Sequence, residues 1–165
     1  MPHLESARLK LIPLTYELVK AAVTEPAETG RLLGATVAPG WPGPDYAEVL
    51  ATKLMAWEQY GAPEDWGGLV LHKGDNRIIG DAGFHGAADP TGTVEIGYSI
   101  APDYRRQGYA SEIPRALVDW ALARPEVRRV IARIEPENLP SIRVAERLGM
   151  RLVATHEMLE WELCR

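Results

Sequence analysis

The spacing of apolar residues changes several times along this chain. Leu9, Leu11 and Pro13 alternate with Lys10 and Ile12, the period of two that predicts a strand over residues 8–14. Thr15 follows, a residue whose hydroxyl satisfies early helical N–H groups, and it predicts a helix over 16–23. Residues 34–44, GATVAPGWPGP, read as a loop. Val49, Leu50, Lys53, Leu54 and Trp57 then recur at helical spacing, predicting a second helix capped by Asp45 and closed by Gly61 and Pro63. Three strands are predicted next, over 66–72, 77–84 and 93–100. The turn sequences Gly74-Asp75-Asn76 and Ala88 to Gly92 separate them, and connections this short favour an antiparallel meander.

Past residue 100 the pattern alters. Ile113, Leu117, Trp120 and Ala121 fall on one stripe of a helix over 108–124. Pro114 stands inside it, beyond the first turn, where a missing N–H predicts a kink or a locally widened turn. Val130, Ala132 and Ile134 alternate in a strand over 128–134. A helix over 140–148 follows, ended by Gly149, which tolerates the left-handed conformation that closes helices. Two strands, about 151–155 and 158–163, complete the chain. A strand, a crossover helix and a further strand imply a parallel pair. The fold class is therefore α/β (α+β): a mixed, mostly antiparallel central sheet flanked by helices.

Composition narrows the function. The 165 residues suit one domain, and 46% of them are hydrophobic, enough for a core. The net charge of -5 argues against bulk nucleic-acid binding, which needs a surplus of Lys and Arg. The lone Cys164 supports neither a disulfide framework nor a Cys-based zinc site; it has no motif around it and reads as a strand residue. No apolar run approaches the roughly 18 residues that span a bilayer. The opening MPHLESARLKLIPL lacks the basic start and apolar stretch of a signal peptide. A cytoplasmic protein with no metal, no nucleic-acid partner and no membrane partner is the expectation.

One stretch carries chemistry. From Glu95 the sequence runs through a strand, Pro102 and the basic turn Arg105-Arg106-Gln107-Gly108-Tyr109-Ala110 into a helix. The start of a helix presents free N–H groups and partial positive charge to phosphate oxygens. Gly108 lets backbone approach a ligand, Ala110 is small, and Arg105 and Arg106 add charge. Basic residues oppose the dipole of a merely structural helix start, so a capped surface helix explains them poorly. Neither G-x-G-x-x-G nor G-x-x-x-x-G-K-S/T is present, so neither the dinucleotide fold nor the P-loop is indicated.

This turn resembles the Arg/Gln-x-x-Gly-x-Gly/Ala signature of the GNAT (Gcn5-related N-acetyltransferase) superfamily. Glu137-Asn138-Leu139-Pro140-Ser141, followed by Leu148-Gly149-Met150, is similar to that family's second motif. The openings Ala7 to Thr15 and Glu95-Ile96-Gly97-Tyr98 resemble the branch that contains the ribosomal-protein N-terminal acetyltransferases. The resemblance implies acetyl-CoA in a V-shaped gap between two splayed parallel strands, 93–100 and 128–134. It implies that the backbone of Tyr98, Ser99 and Ile100 meets the pantetheine arm. The backbone of Arg105, Arg106, Gln107, Gly108, Tyr109 and Ala110 would meet the pyrophosphate, with Asn138 and Ser141 facing the arm from the other side. Asn138 is also a good helix cap, with Pro140 just inside the helix, and the two roles are compatible.

The implied reaction is attack of a primary amine, on a small molecule or a protein N-terminus, on the thioester carbonyl in a ternary complex. It needs a base, an oxyanion donor (a backbone N–H near Ile100) and a proton for the thiolate. Glu95 is the candidate base, since alternation puts it on one face with Gly97 and Ser99. The competing reading of Glu95 is a structural carboxylate paired with Arg133, and His85 is a weaker alternative base. Ala145 stands where the family often has an acidic tyrosine, which leaves Ser141 or water as the acid. Trp41, Trp57 and Trp66 fall in the part that covers the acceptor in relatives, and at least two of the three are expected to be core. The function read from the sequence is an acyltransferase, an N-acetyltransferase, with a homodimer possible. Its alternative is a non-catalytic acyl-CoA-binding or regulatory module on the same fold.

Overall fold

The computed structural model describes Met1 and residues 3–165. Its strands are β1 (Leu4–Glu5), β2 (Leu9–Pro13), β3 (Thr36–Val37), β4 (Gly67–His72), β5 (Arg77–Phe84), β6 (Thr93–Ile100), β7 (Arg129–Ile134), β8 (Arg151–Thr155) and β9 (Leu159–Cys164). Its α-helices are α1 (Tyr16–Thr24), α2 (Pro26–Leu32), α3 (Pro44–Tyr60), α4 (Tyr109–Leu122) and α5 (Leu139–Leu148). The strands form one sheet in the order β1-β2-β4-β5-β6-β7-β9-β8, with β3 paired off this path to β5. β6 and β7 are the predicted parallel pair. The two residues of β3 add a second parallel pairing, Thr36 with Arg77 and Val37 with Ile78, inside a stretch expected to be loop.

The apolar stripes do the work the pattern assigned them. Ile113, Leu117, Val118 and Ala121 of α4 are fully buried, and with Val94, Ile96, Val130 and Ala132 they belong to the main core. Burial of such side chains contributes about 1.5–3 kcal/mol each. α4 stays α-helical across Pro114, whose ring is buried, and no widened turn forms there. Thr15 caps α1 by accepting from the Leu18 N–H at 3.3 Å.

Two features of the helical part differ from the sequence pattern, and the tryptophans follow it. Asp45 does not cap α3: the helix opens at Pro44 with Gly43 in the cap position, and Asp45 sits in the first turn, where its charge still favours the helix dipole. α2 went unmarked because PAETGRL has no apolar stripe; its Gly30 packs so closely that a Cβ there would lie 2.7 Å from the Ala35 carbonyl oxygen. Trp41, Trp57 and Trp66 are all buried. Trp66 stands just before β4, edge-on to Phe84 and Trp120.

Candidate active site

β6 and β7 pair only from Thr93–Arg129 to Glu95–Ile131 and then part. The gap is a cleft of about 270 Å³, with Gly97 and Tyr98 on one wall, Ala132 and Ile134 on the other, and Asn138 and Ser141 at its mouth. The His85 N–H donates to the Glu95 carbonyl at 2.9 Å. Antiparallel alternation then aims the backbone groups of Glu95, Gly97 and Ser99 at β5, and those of Ile96, Tyr98 and Ile100 into the gap. Tyr98 and Ile100 therefore present the edge expected of them. Ser99 does not, because its backbone is spent in the ladder opposite Asp81. The Ile100 carbonyl accepts from Arg105 Nε at 2.9 Å, which ties the following turn to the strand end.

That turn is shaped for an anion. After a 3-10 turn at Pro102–Tyr104, Arg106 (φ 60°) and Gly108 (φ 86°) take left-handed conformations, and α4 starts with no side-chain cap. The N–H groups of Arg106, Gln107, Gly108, Tyr109 and Ala110 have no acceptor among the described residues. Consecutive free donors at a helix start form a phosphate cradle. The side chains are deployed differently from the backbone. Gln107 Nε2 donates to the Asp103 carbonyl, and buried Tyr109 places its hydroxyl 3.0 Å from His72 Nε2.

Arg8 and Glu112 complete this corner, and no local pattern marks either role. The Arg8 guanidinium lies 4.3 Å from the centre of the Tyr109 ring, and its Nη2 is 3.3 Å from where a Gly108 Cβ would stand. Glu112 holds it, accepting from the Arg8 N–H and Nε at 2.7 Å each and from Ser6 Oγ at 2.6 Å. Burial pushes the Glu112 carboxyl up, but these hydrogen bonds outweigh it and hold the group below its ordinary value. Across the gap, Asn138 caps α5, its Oδ1 accepting from the Ser141 N–H at 3.2 Å. Ser141 stands beside Tyr98, whose phenol burial pushes up, with the serine opposing that shift. Ala145 is buried and offers no hydroxyl.

The other candidates meet on the opposite face of the sheet. Glu95, Gly97 and Ser99 of β6 line up there with Asp81 and Gly83 of β5, and with His85 just beyond it. Glu95 makes a close ion pair with Arg133 and lies 3.5 Å from His85 Nδ1. The structural pairing weighed for Glu95 is thus present, and both candidate bases sit together. Asp81 escaped the sequence reading, although an aspartate inside the apolar run RIIGDAGF was a usable signal. It is 4% exposed and accepts from Ser99 Oγ at 2.6 Å and Trp41 Nε1 at 3.3 Å. Burial outweighs these two hydrogen bonds and leaves its carboxyl pushed up to about 7.

A cleft between parted parallel strands, beside a turn of free N–H groups, is the arrangement expected of an acyltransferase. The chain belongs to the GNAT acetyltransferase family: the family's "Acetyltransferase (GNAT) domain" matches residues 8–151. It is 31% identical over 163 residues to the uncharacterized N-acetyltransferase YjdG of Bacillus subtilis, covering 98% of this chain and 96% of the relative. Among solved structures, an acetyltransferase from Agrobacterium tumefaciens superposes with a TM-score of 0.64 at 26% identity, covering 100% of this chain and 95% of that one. The fold is shared with RimL, a ribosomal L7/L12 alpha-N-protein acetyltransferase solved in complex with coenzyme A. That superposition has a TM-score of 0.67 at 17% identity and covers 99% of this chain and 98% of that one. The protein is an N-acetyltransferase.

Proposed function

We propose that the protein moves an acetyl group from acetyl-CoA to a primary amine by direct attack within a ternary complex. The observation that carries this reading is the unpaired edge of β6 leading straight into the run of free N–H groups from Arg106 to Ala110. The pantetheine arm lies along Tyr98 and Ile100, adding its amides to the edge that β7 leaves open. The pyrophosphate takes the N–H groups of the turn, with Arg106 supplying further charge and Arg105 holding the turn to Ile100. A backbone N–H on the gap edge, that of Tyr98 or Ile100, receives the oxyanion of the tetrahedral intermediate. The Ser141 and Tyr98 hydroxyls lie on the thiolate side and supply its proton, in place of the tyrosine that Ala145 replaces.

The amine approaches from the face that carries Glu95, Gly97 and Ser99. The acceptor is a primary amine of a small molecule or of a protein N-terminus. Glu95 anchors Arg133 and His85 at the inner end of that face. The test is release of CoA thiol from acetyl-CoA in the presence of small aliphatic primary amines and short unblocked peptides. Amine-dependent thiol release supports the reading. Tight CoA binding by calorimetry with no release from any amine would assign the chain to the non-catalytic alternative.

A further inference from the structure

The two carboxylates on the acceptor face differ in their partners. Glu95 is engaged by two side chains that carry or can carry positive charge, Arg133 and His85. Asp81 makes no ion pair among the described residues, and both its hydrogen bonds fall on Oδ2. Asp81 Oδ1 accepts none. It is also not among the sealed side-chain atoms without a partner, which among the described residues are Thr29 Oγ1 and Trp161 Nε1. One carboxylate oxygen is thus unpaired without being wholly sealed, while the other is held by Trp41 and Ser99.

Ser99 connects this carboxylate to a second, smaller cleft. Its hydroxyl hydrogen points at Asp81, which leaves the oxygen lone pairs free. The cleft, of about 120 Å³, lies between the start of α3 and the end of β6, walled by Trp41, Tyr46 and Ser99 and bordered by Arg105. Asp45 borders both this cleft and the donor gap, so the two open beside each other. Aromatic walls with a hydroxyl backed by a carboxylate suit an ammonium group.

We propose that the acceptor's ammonium group binds in this smaller cleft and passes its proton through Ser99 to Asp81. The proposal rests on the acetyl-transfer reading above. Ser99 touches the amine, and Asp81 acts through it as a positioning residue. In the step, one N–H bond of R–NH3⁺ breaks and its electron pair stays on nitrogen. The proton goes to Ser99 Oγ as the serine's own proton moves to the Asp81 carboxylate. The neutral amine attacks the thioester carbon, the C–S bond breaks, and the second proton the nitrogen sheds replaces the one that the Ser141 and Tyr98 hydroxyls give to the thiolate. Asp81 then returns its proton to solvent.

The charged and titratable groups facing this pair are few. Asp45 and Tyr46 come from α3, and Arg105 from the turn after β6. Tyr46 stays neutral over the working range, because burial, with the charges of Asp81 and Asp65, pushes its phenol well up. Burial brings the Asp81 carboxyl to about 7. The proton acceptor is therefore ionised only toward the alkaline side of neutrality, and activity rises with pH through that region.

The experiment measures kcat/KM against pH for the full chain, with acetyl-CoA and small aliphatic primary amines or short unblocked peptides. Asp81→Asn and Ser99→Ala are compared with Glu95→Gln. The proposal expects a wild-type acid limb near pH 7. Asp81→Asn should lose roughly 10²–10⁴-fold in kcat and lose the limb, while its CoA affinity by calorimetry is retained. Ser99→Ala should behave alike, and Glu95→Gln should keep the limb. A merely structural Asp81 would leave the limb in place. Asp81→Asn with near-normal kcat, or with the limb unmoved, overturns the proton path while the transferase reading stands. If Asp81→Asn does not fold, Ser99→Ala with normal kcat and an unmoved limb overturns it equally. A wild type that binds CoA but acetylates no amine overturns this path and the reading beneath it.

Discussion

His85 lies over Gly97: its Nε2 is 2.9 Å from the point where a Cβ on Gly97 would stand. The absent side chain is what lets the His85 imidazole come down onto the sheet beside Glu95. Gly97→Ala forces the exposed His85 ring to swing away, which costs little stability because the ring end is free to move. It also raises the floor of the acceptor face. We expect an unchanged melting temperature, unchanged CoA affinity by calorimetry, and kcat/KM for the amine lowered by roughly tenfold or more, since small misplacements of reacting groups are costly.

Gly108 takes a left-handed conformation, φ 86°, and only the flexible end of Arg8, 3.3 Å away, stands near where a Cβ would be. Gly108→Glu puts bulk and negative charge where phosphate must approach and should abolish CoA binding by calorimetry. Asparagine tolerates the left-handed region and adds no charge. Gly108→Asn should therefore fold normally and keep measurable CoA affinity. If both variants bind CoA as the wild type does, the cradle lies elsewhere.

Glu112 joins the start of β2 to the first turn of α4 through Arg8 and Ser6. Its carboxyl is held below its ordinary value in the fold. The stability it contributes is present above the unfolded carboxyl range and is lost as pH falls through the folded value. Glu112→Gln should accordingly melt lower than the wild type at pH 7. The gap between the two melting curves should close as the pH drops below the ordinary glutamate range.

Asp81 has the opposite sign. Its folded value of about 7 lies above the ordinary 3.8. The stability linked to its protonation is complete below the unfolded value and is lost as pH rises through 7. Asp81→Asn keeps the shape and removes the buried charge. Relative to this variant, the wild type should lose melting temperature between pH 5 and pH 8, read by calorimetric scans at each pH.

The turn geometry proposed to hold the donor is legible in the sequence because it is local. The turn from Arg105 to Ala110, the glycine before the helix and the cap at Asn138 each follow from residues within a few positions of one another. The strand period also placed Glu95, Gly97 and Ser99 on one face. It did not assign their backbone edges, so Ser99 was sent to the cofactor when its backbone is paired with β5. What stayed hidden depends on distant contacts. Arg8 meets Glu112 across 104 residues, and buried Asp81 meets Trp41 across 40 and Ser99 across 18. Glu95 falls on one face with Gly97 and Ser99 as the strand period predicts, but its engagement by His85 as well as Arg133 needed the fold to show it.

The parting of β6 and β7 leaves the N-terminal and C-terminal parts of the sheet joined by three ladder positions. A pantetheine arm laid in that opening supplies the rungs the polypeptide omits. On the proposed reading, the cofactor is a removable strand that fastens β7, β8, β9 and α5 to the rest of the molecule. In amide hydrogen exchange, the free protein should release this C-terminal unit as a separate cooperative block. Saturation with CoA should merge its exchange rates with those of the N-terminal sheet, so that the ligand sets how many pieces the protein opens in.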